Sequence, residues 1–124
     1  MIVPLKRKHN TQVFKEGLHT TVRLYGTDIL HYDAATSRLV LSTGGWETMT
    51  TRRRMVEAMK EVCGGTLFGK SFNVWGHKGH SELYIDGVTF PFVNGRLEII
   101  LSHVDLLEDR IEREREKREG RNDL

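Results

Sequence analysis

Three residue pairs that end in glycine recur every eight residues in the second half of the chain. They are Lys78-Gly79, Asp86-Gly87 and Asn94-Gly95. Glycine adopts a positive φ without steric cost, and pairs of this kind suit the two-residue turns that join antiparallel strands. Three such turns at this spacing predict four short antiparallel strands in a meander.

The apolar residues around these turns predict which face of the meander is buried. Counting outward from the turns gives the flanking pairs His77 with His80, Ile85 with Val88, and Val93 with Arg96. One face then carries Phe72, Val74, Leu83, Ile85, Val88, Phe90, Phe92, Leu97, Ile99 and Leu101. We expect this face to form the core. Pro91 lacks a backbone donor, which predicts a bulge or a local loss of pairing there.

A β-hairpin and a helix are predicted before the meander. Residues 21–25, 29–32 and 38–41 are rich in β-branched and apolar side chains, and a bend is expected near residues 26–28. Thr48, Thr50 or Thr51 can cap the start of the helix. The glycine pair at 64–65 is expected to end it. The apolar stripe of this helix consists of Met55, Met59, Val62 and Cys63.

A second helix is predicted at the C-terminus. The segment from Ser102 to Asp105 has the spacing of a capping box, and the helix is expected to reach residue 119. Val104, Leu107 and Ile111 form a short apolar stripe, whereas every residue from 112 to 119 is charged. We expect the first turns to dock on the core and the rest to project as an interaction helix.

The chain of 124 residues is predicted to be one α+β domain with two charged ends. The expected parts are a basic N-terminal arm at 1–17, a core domain at 18–104 and the projecting helix at 105–124. The core comprises an N-terminal β-hairpin, one α-helix and a four-stranded antiparallel meander. No apolar run approaches the roughly 20 residues of a membrane span, and no secretory signal is evident. With a single cysteine, Cys63, these features favour a cytoplasmic protein without a membrane partner.

Three consecutive arginines, Arg52, Arg53 and Arg54, lie near the predicted helix start, where positive charge opposes the helix dipole. A bound phosphate would offset that cost, because helix N–H groups, a glycine turn and hydroxyls all suit an anion. In the other interpretation, the arginines are solvated or pair with Glu47 and Glu57. The predicted phosphate-binding or nucleic-acid-binding residues are Gly44, Gly45, Trp46, Thr48, Thr50, Thr51, Arg52, Arg53 and Arg54.

Other candidate sites are weaker. Trp75 and Tyr84 share the outer meander face and could stack on bases, although large aromatics are more often buried. His77 and His80 face each other across a turn, but two ligands do not make a metal site, so no metal or cofactor is expected. Neither a nucleophile with a base nor a phosphate loop is apparent, which favours a protein that is not an enzyme.

Two segments resemble a family of small tailed-bacteriophage proteins. They are residues 22–29, VRLYGTDI, and residues 41–55, LSTGGWETMTTRRRM. The resemblance covers about the middle two-thirds of the chain and includes a short meander, but neither the basic arm nor the charged C-terminal helix. It implies a viral origin and a setting in the host-cell cytoplasm rather than a mechanism.

Two hypotheses for function follow. In the first, a non-enzymatic phage accessory protein binds a nucleic acid or a nucleotide through the Gly-Gly-Trp turn and the arginine-rich helix start. The net charge is only +2, so such binding must come from a local cluster. In the second, the chain is an assembly module, such as a virion component or an inhibitor of a host or defence protein. It would act through the C-terminal helix and the outer sheet face, and we expect a homo-oligomer.

Overall fold

Two antiparallel sheets and one α-helix make up the described part of the fold. The computed structural model describes residues 2–4, 10–64, 67 and 69–104. The elements are β1 (Ile2–Pro4), β2 (Thr11–Glu16), β3 (His19–Leu24), β4 (Thr27–Asp33), β5 (Arg38–Ser42), α1 (Met49–Val62), β6 (Phe72–His77), β7 (His80–Ile85), β8 (Val88–Pro91) and β9 (Arg96–Ile100). The α+β class is as predicted, but the strands are arranged differently.

The larger sheet extends well beyond the predicted hairpin. Strands β2, β3, β4, β5 and β9 form a five-stranded antiparallel sheet in that order, and the short β1 pairs with the outer edge of β2. Strand β2 lies inside the segment expected to be a basic arm. Its Thr11 and Val13 are buried while Gln12 between them is exposed, which is the alternation of a strand with one face on the core.

The smaller sheet, β6-β7-β8, has the predicted register. Within it, His77 lies opposite His80 and Ile85 opposite Val88. The third predicted pair, Val93 with Arg96, forms an isolated bridge. Both residues of each turn have positive φ, as at Lys78 and Gly79 (49° and 83°). The turn glycines therefore predicted the local pairing correctly.

The prediction that a fourth strand completes this meander is wrong. Strand β9 pairs with β5 of the larger sheet, so that Ile99 lies opposite Leu39. Strand β8 ends at Pro91, which supplies no donor. Phe92 then turns into the core, and its N–H donates to the carbonyl of Ser81 at 2.9 Å. This inward turn redirects the chain towards β5.

Helix α1 packs against β3, β4 and β6 and so touches both sheets. Met55, Met59 and Cys63 of the predicted stripe are fully buried, and Val62 is half-buried. Across the core they face apolar residues of both sheets: Val22, Leu24, Leu30, Tyr32, Leu39, Leu41, Val74, Leu83 and Ile85. A single core thus holds the two sheets together.

Residues 101–104 form a helical turn that docks as predicted, with Leu101 and Val104 buried. The remainder of the predicted C-terminal helix, including Leu107 and Ile111, lies outside the described residues. In the described part of the chain, no helix is long and apolar enough to cross a membrane.

Candidate nucleic-acid interface

The arginine cluster lies after the first residues of helix α1 rather than at its start. Thr48 is the N-cap, and its hydroxyl accepts a hydrogen bond from the N–H of Thr51 at 3.2 Å. The first helical residue is Met49, so Arg52 is the fourth, and Arg53 and Arg54 lie in the second turn. Because the helix dipole acts mainly within the first turn, the charge conflict inferred from the sequence is weaker than expected.

The three arginines point in different directions, because successive helical residues are about 100° apart. Arg54 forms an ion pair with Glu57 at 3.0 Å, and its buried Nε has no hydrogen-bond partner among the described residues. Arg53 is exposed, with Nη2 3.7 Å from the sulfur of Met49. The guanidinium of Arg52 covers Gly76, where an added Cβ would lie 2.8 Å from the guanidinium carbon.

Glu47 accepts hydrogen bonds mainly from hydroxyl groups of the two sheets. Its carboxylate accepts hydrogen bonds from Thr43, just after β5, and from Ser81 of β7, at 3.0 and 2.5 Å. Both hydroxyl-bearing residues are fully buried. Arg52 lies 4.0 Å from the same carboxylate, at the limit of an ion pair. Glu47 therefore neutralises Arg52 only weakly.

The Gly44-Gly45-Trp46 turn lies on another side of the helix start. Its N–H groups donate within the chain: Gly44 to the Ser42 hydroxyl, Gly45 to the Thr43 hydroxyl and Trp46 to the Thr43 carbonyl. These bonds occupy donors that a phosphate would need. Exposed Trp46 and the threonines line a separate cavity of about 430 Å³, with lining residues Leu24, Tyr25, Thr27, Ile29, Thr43, Trp46, Thr48, Thr50 and Thr51.

A second depression, which we call the α1–β6 groove, runs between helix α1 and strand β6. Its volume is about 530 Å³. The helix wall consists of Met49, Arg52, Arg53, Val56, Glu57 and Lys60, and the strand wall consists of Asn73, Val74, Trp75 and Gly76. Two of the three predicted arginines therefore meet Trp75, a predicted stacking residue, in one groove.

Trp75 is held in place by Tyr84. Their ring centroids are 5.1 Å apart and the rings are stacked with an angle of 30°. Trp75 is 39% exposed and is thus less exposed than Trp46. The sequence placed both rings on the outer meander face, and the structure brings them into direct contact.

The positive charge continues past Gly76 to the β6–β7 turn. A neighbouring depression of about 300 Å³ shares Arg52 and Gly76 with the groove and reaches Lys78. Here the rings of His77 and His80 lie edge to face at 5.8 Å, and His80 Nε2 is 3.2 Å from Glu82. In the described ranges, no group of three or more His, Cys, Asp or Glu residues is placed to hold a metal.

Cys63 lies in the core rather than in either depression. It is 1% exposed, and burial raises the pKa of its thiol to about 12. A thiol with such a pKa is protonated at neutral pH, so it is a poor nucleophile. This agrees with the interpretation of Cys63 as a core residue.

Lys60 and Asn73 line the groove but were not among the predicted site residues. Lys60 lies seven residues after Arg53, which is two helical turns along the same face, so helical periodicity could have found it. Asn73 lies between Phe72 and Val74 of the predicted core face, so strand alternation directs it to the outer face. Its side chain in fact accepts a hydrogen bond from the N–H of Val74 at 2.9 Å, and no sequence pattern signals that contact.

A family model for the Kyanoviridae Gp96 protein matches residues 5–97. The chain belongs to the Kyanoviridae Gp96 protein family. This is a cyanophage family, so the phage resemblance inferred from residues 22–29 and 41–55 is confirmed. The searches of curated proteins and of solved structures each gave no significant match.

The Kyanoviridae Gp96 match contains the whole candidate interface. Every residue of the α1–β6 groove lies between Met49 and Gly76, inside residues 5–97. The match also takes in most of the predicted basic arm, which the resemblance had excluded. The charged C-terminal segment lies beyond it.

Proposed function

We propose that this cyanophage protein is a non-enzymatic accessory protein that binds nucleic acid through the α1–β6 groove. Arg52, Arg53 and Lys60 would contact backbone phosphates, and Trp75 would border the bound chain. This moves the binding site away from the Gly-Gly-Trp turn, whose N–H donors are engaged within the protein.

The observation that carries the proposal is the convergence of cations on one wall of the groove. Arg53 and Lys60 are exposed, and they are about 10 Å apart along the helix axis at 1.5 Å per residue. Among the described residues of the lining, the one acid is Glu57, which is ion-paired with Arg54. The groove therefore presents net positive charge although the whole chain carries only +2.

The test compares two double variants that remove equal charge. Arg53→Gln with Lys60→Gln removes two groove cations, whereas Arg38→Gln with Arg96→Gln removes two from the outer face of the larger sheet. Both change the net charge from +2 to zero. Binding of a fluorescent oligonucleotide is followed by anisotropy over a range of salt concentrations.

We expect the groove variant to bind more weakly, because two phosphate contacts are lost. The slope of log K against log salt should flatten by about 1.4 for a single strand. The outer-face variant should keep the wild-type slope. Equal losses in both variants, or no binding by the wild-type protein, would contradict the proposal, and a nuclease-resistant protein complex in place of binding would favour the assembly module.

A further inference from the structure

The aromatic wall of the α1–β6 groove is the feature that identifies the kind of nucleic acid. We infer that the groove takes single-stranded nucleic acid, with an unpaired base stacked on Trp75. This inference rests on the proposed function, because the phosphates of the same strand would contact the groove cations.

The first argument is that Trp75 is already positioned to stack. Tyr84 packs on one side of the indole at 5.1 Å, while part of the ring stays exposed at the groove wall. A side chain that is fixed before binding loses little conformational entropy on binding. Any base can stack on such a ring, because every base has a π face.

The second argument concerns the shape of the groove. A protein reads duplex DNA by inserting a protruding helix or ribbon into the major groove. On its cationic side, α1 does not protrude, because β6 forms the facing wall. The bases of a duplex are stacked on one another and cannot reach Trp75, whereas those of a single strand can splay outward.

An extended peptide is the main competing occupant, because β6 is an edge strand of its sheet. The N–H of Asp86 in the β7–β8 turn donates to the carbonyl of Ser71 at 2.8 Å. Because the backbone groups of successive strand residues point to alternate sides, the N–H of Val74, three residues after Ser71, points towards the free edge of β6. That N–H is already bound by the side chain of Asn73.

The guanidinium of Arg52 also lies against Gly76, with its carbon 2.8 Å from the position of an added Cβ. The engaged N–H of Val74 removes one backbone donor that a peptide strand would use. The charge and the aromatic ring remain available, and they suit a polyanion that carries bases.

The two tryptophans give a direct fluorescence test. The chain contains only Trp46 and Trp75, so Trp46→Phe leaves Trp75 as the sole probe and Trp75→Phe leaves Trp46. A short oligothymidylate should quench Trp75 in the first variant and leave Trp46 unchanged in the second. A duplex at the same phosphate concentration should quench neither.

Affinity measurements separate stacking from phosphate contact. Trp75→Leu should weaken binding of the oligothymidylate roughly 5- to 150-fold, the range for loss of one stacked base. Its affinity for an abasic oligomer of equal charge should match that of the wild type. Trp46→Leu is the matched control and should change affinity by less than about two-fold, as expected of a surface substitution.

The outcomes distinguish this inference from the proposed function. Equal binding of duplex and single strand without quenching of Trp75 would overturn the inference and leave the proposed function intact. Equal binding of polyglutamate would show a peptide site and overturn both, as would the absence of any binding. Circular dichroism melting of Trp75→Leu identifies a folding defect, and Trp75→Phe, which keeps an aromatic face, should recover part of the affinity.

Discussion

At the scale of single residues, Glu47 is the main link between the two sheets at the helix start. Its carboxylate accepts hydrogen bonds from Thr43, which follows β5, and from Ser81 in β7. Both hydroxyls are inaccessible to water. Glu47 also lies 4.0 Å from Arg52, a lining residue of the α1–β6 groove.

Replacement of Glu47 by alanine should destabilise the fold. Two buried hydroxyls would lose their acceptor, and at about 1–3 kcal/mol for each unsatisfied group the free energy of unfolding should fall by about 2–6 kcal/mol. Urea denaturation measures this quantity. Glu98→Ala is the control, because Glu98 forms only exposed ion pairs with Arg38 and Arg96 and its loss should cost less than about 1 kcal/mol. Equal losses would show that Glu47 is not a link.

The arginine cluster shows how far residue-level prediction reached. The sequence indicated correctly that Arg52, Arg53 and Arg54 lie on a helix, and it raised pairing with Glu57 as an alternative, which Arg54 adopts. It could not indicate which arginine faces which neighbour. That depends on where the helix begins and on strand β6, which joins the site from about twenty residues further along the chain.

At the scale of elements, the pairing of strands adjacent in sequence could be predicted, whereas the pairing of distant strands could not. The β6–β7 and β7–β8 hairpins followed from their turn residues, because the turn type fixes the register of the flanking strands. The partner of β9 could not be predicted from a turn, because β5 lies about sixty residues earlier in the chain. Strand β2 was missed because its alternation, Thr11 to Val13, is too short to stand out from a polar segment.

Two threonines at the start of α1, Thr48 and Thr50, have different roles, which predicts different effects of substitution. Thr48→Ala removes the N-cap and should lower the free energy of unfolding by about 0.5–2 kcal/mol. Thr50 is exposed on the first turn, and Thr50→Ala should be neutral or slightly stabilising because alanine has the higher helix propensity. Urea unfolding of both variants checks this, and equal destabilisation would contradict the assignment of Thr48 as the cap.

At the scale of the whole molecule, the proposed function depends on a groove that neither sheet forms alone. Helix α1 supplies the cations and the smaller sheet supplies the aromatic wall, while the larger sheet packs against the helix through the core. Net charge and composition gave no indication of this arrangement. The central claim about this cyanophage protein is therefore that single-stranded nucleic acid binds in the α1–β6 groove.

Amide and indole chemical shifts in a ¹H–¹⁵N NMR titration with oligothymidylate test that claim most directly. We expect the amides of Arg53, Trp75 and Gly76 and the indole N–H of Trp75 to shift together with a single saturation curve, because they border the same groove. The indole of Trp46 should stay in place. Shifts confined to Trp46 and the Gly44-Gly45 turn, or to the outer face of the larger sheet, would contradict the account.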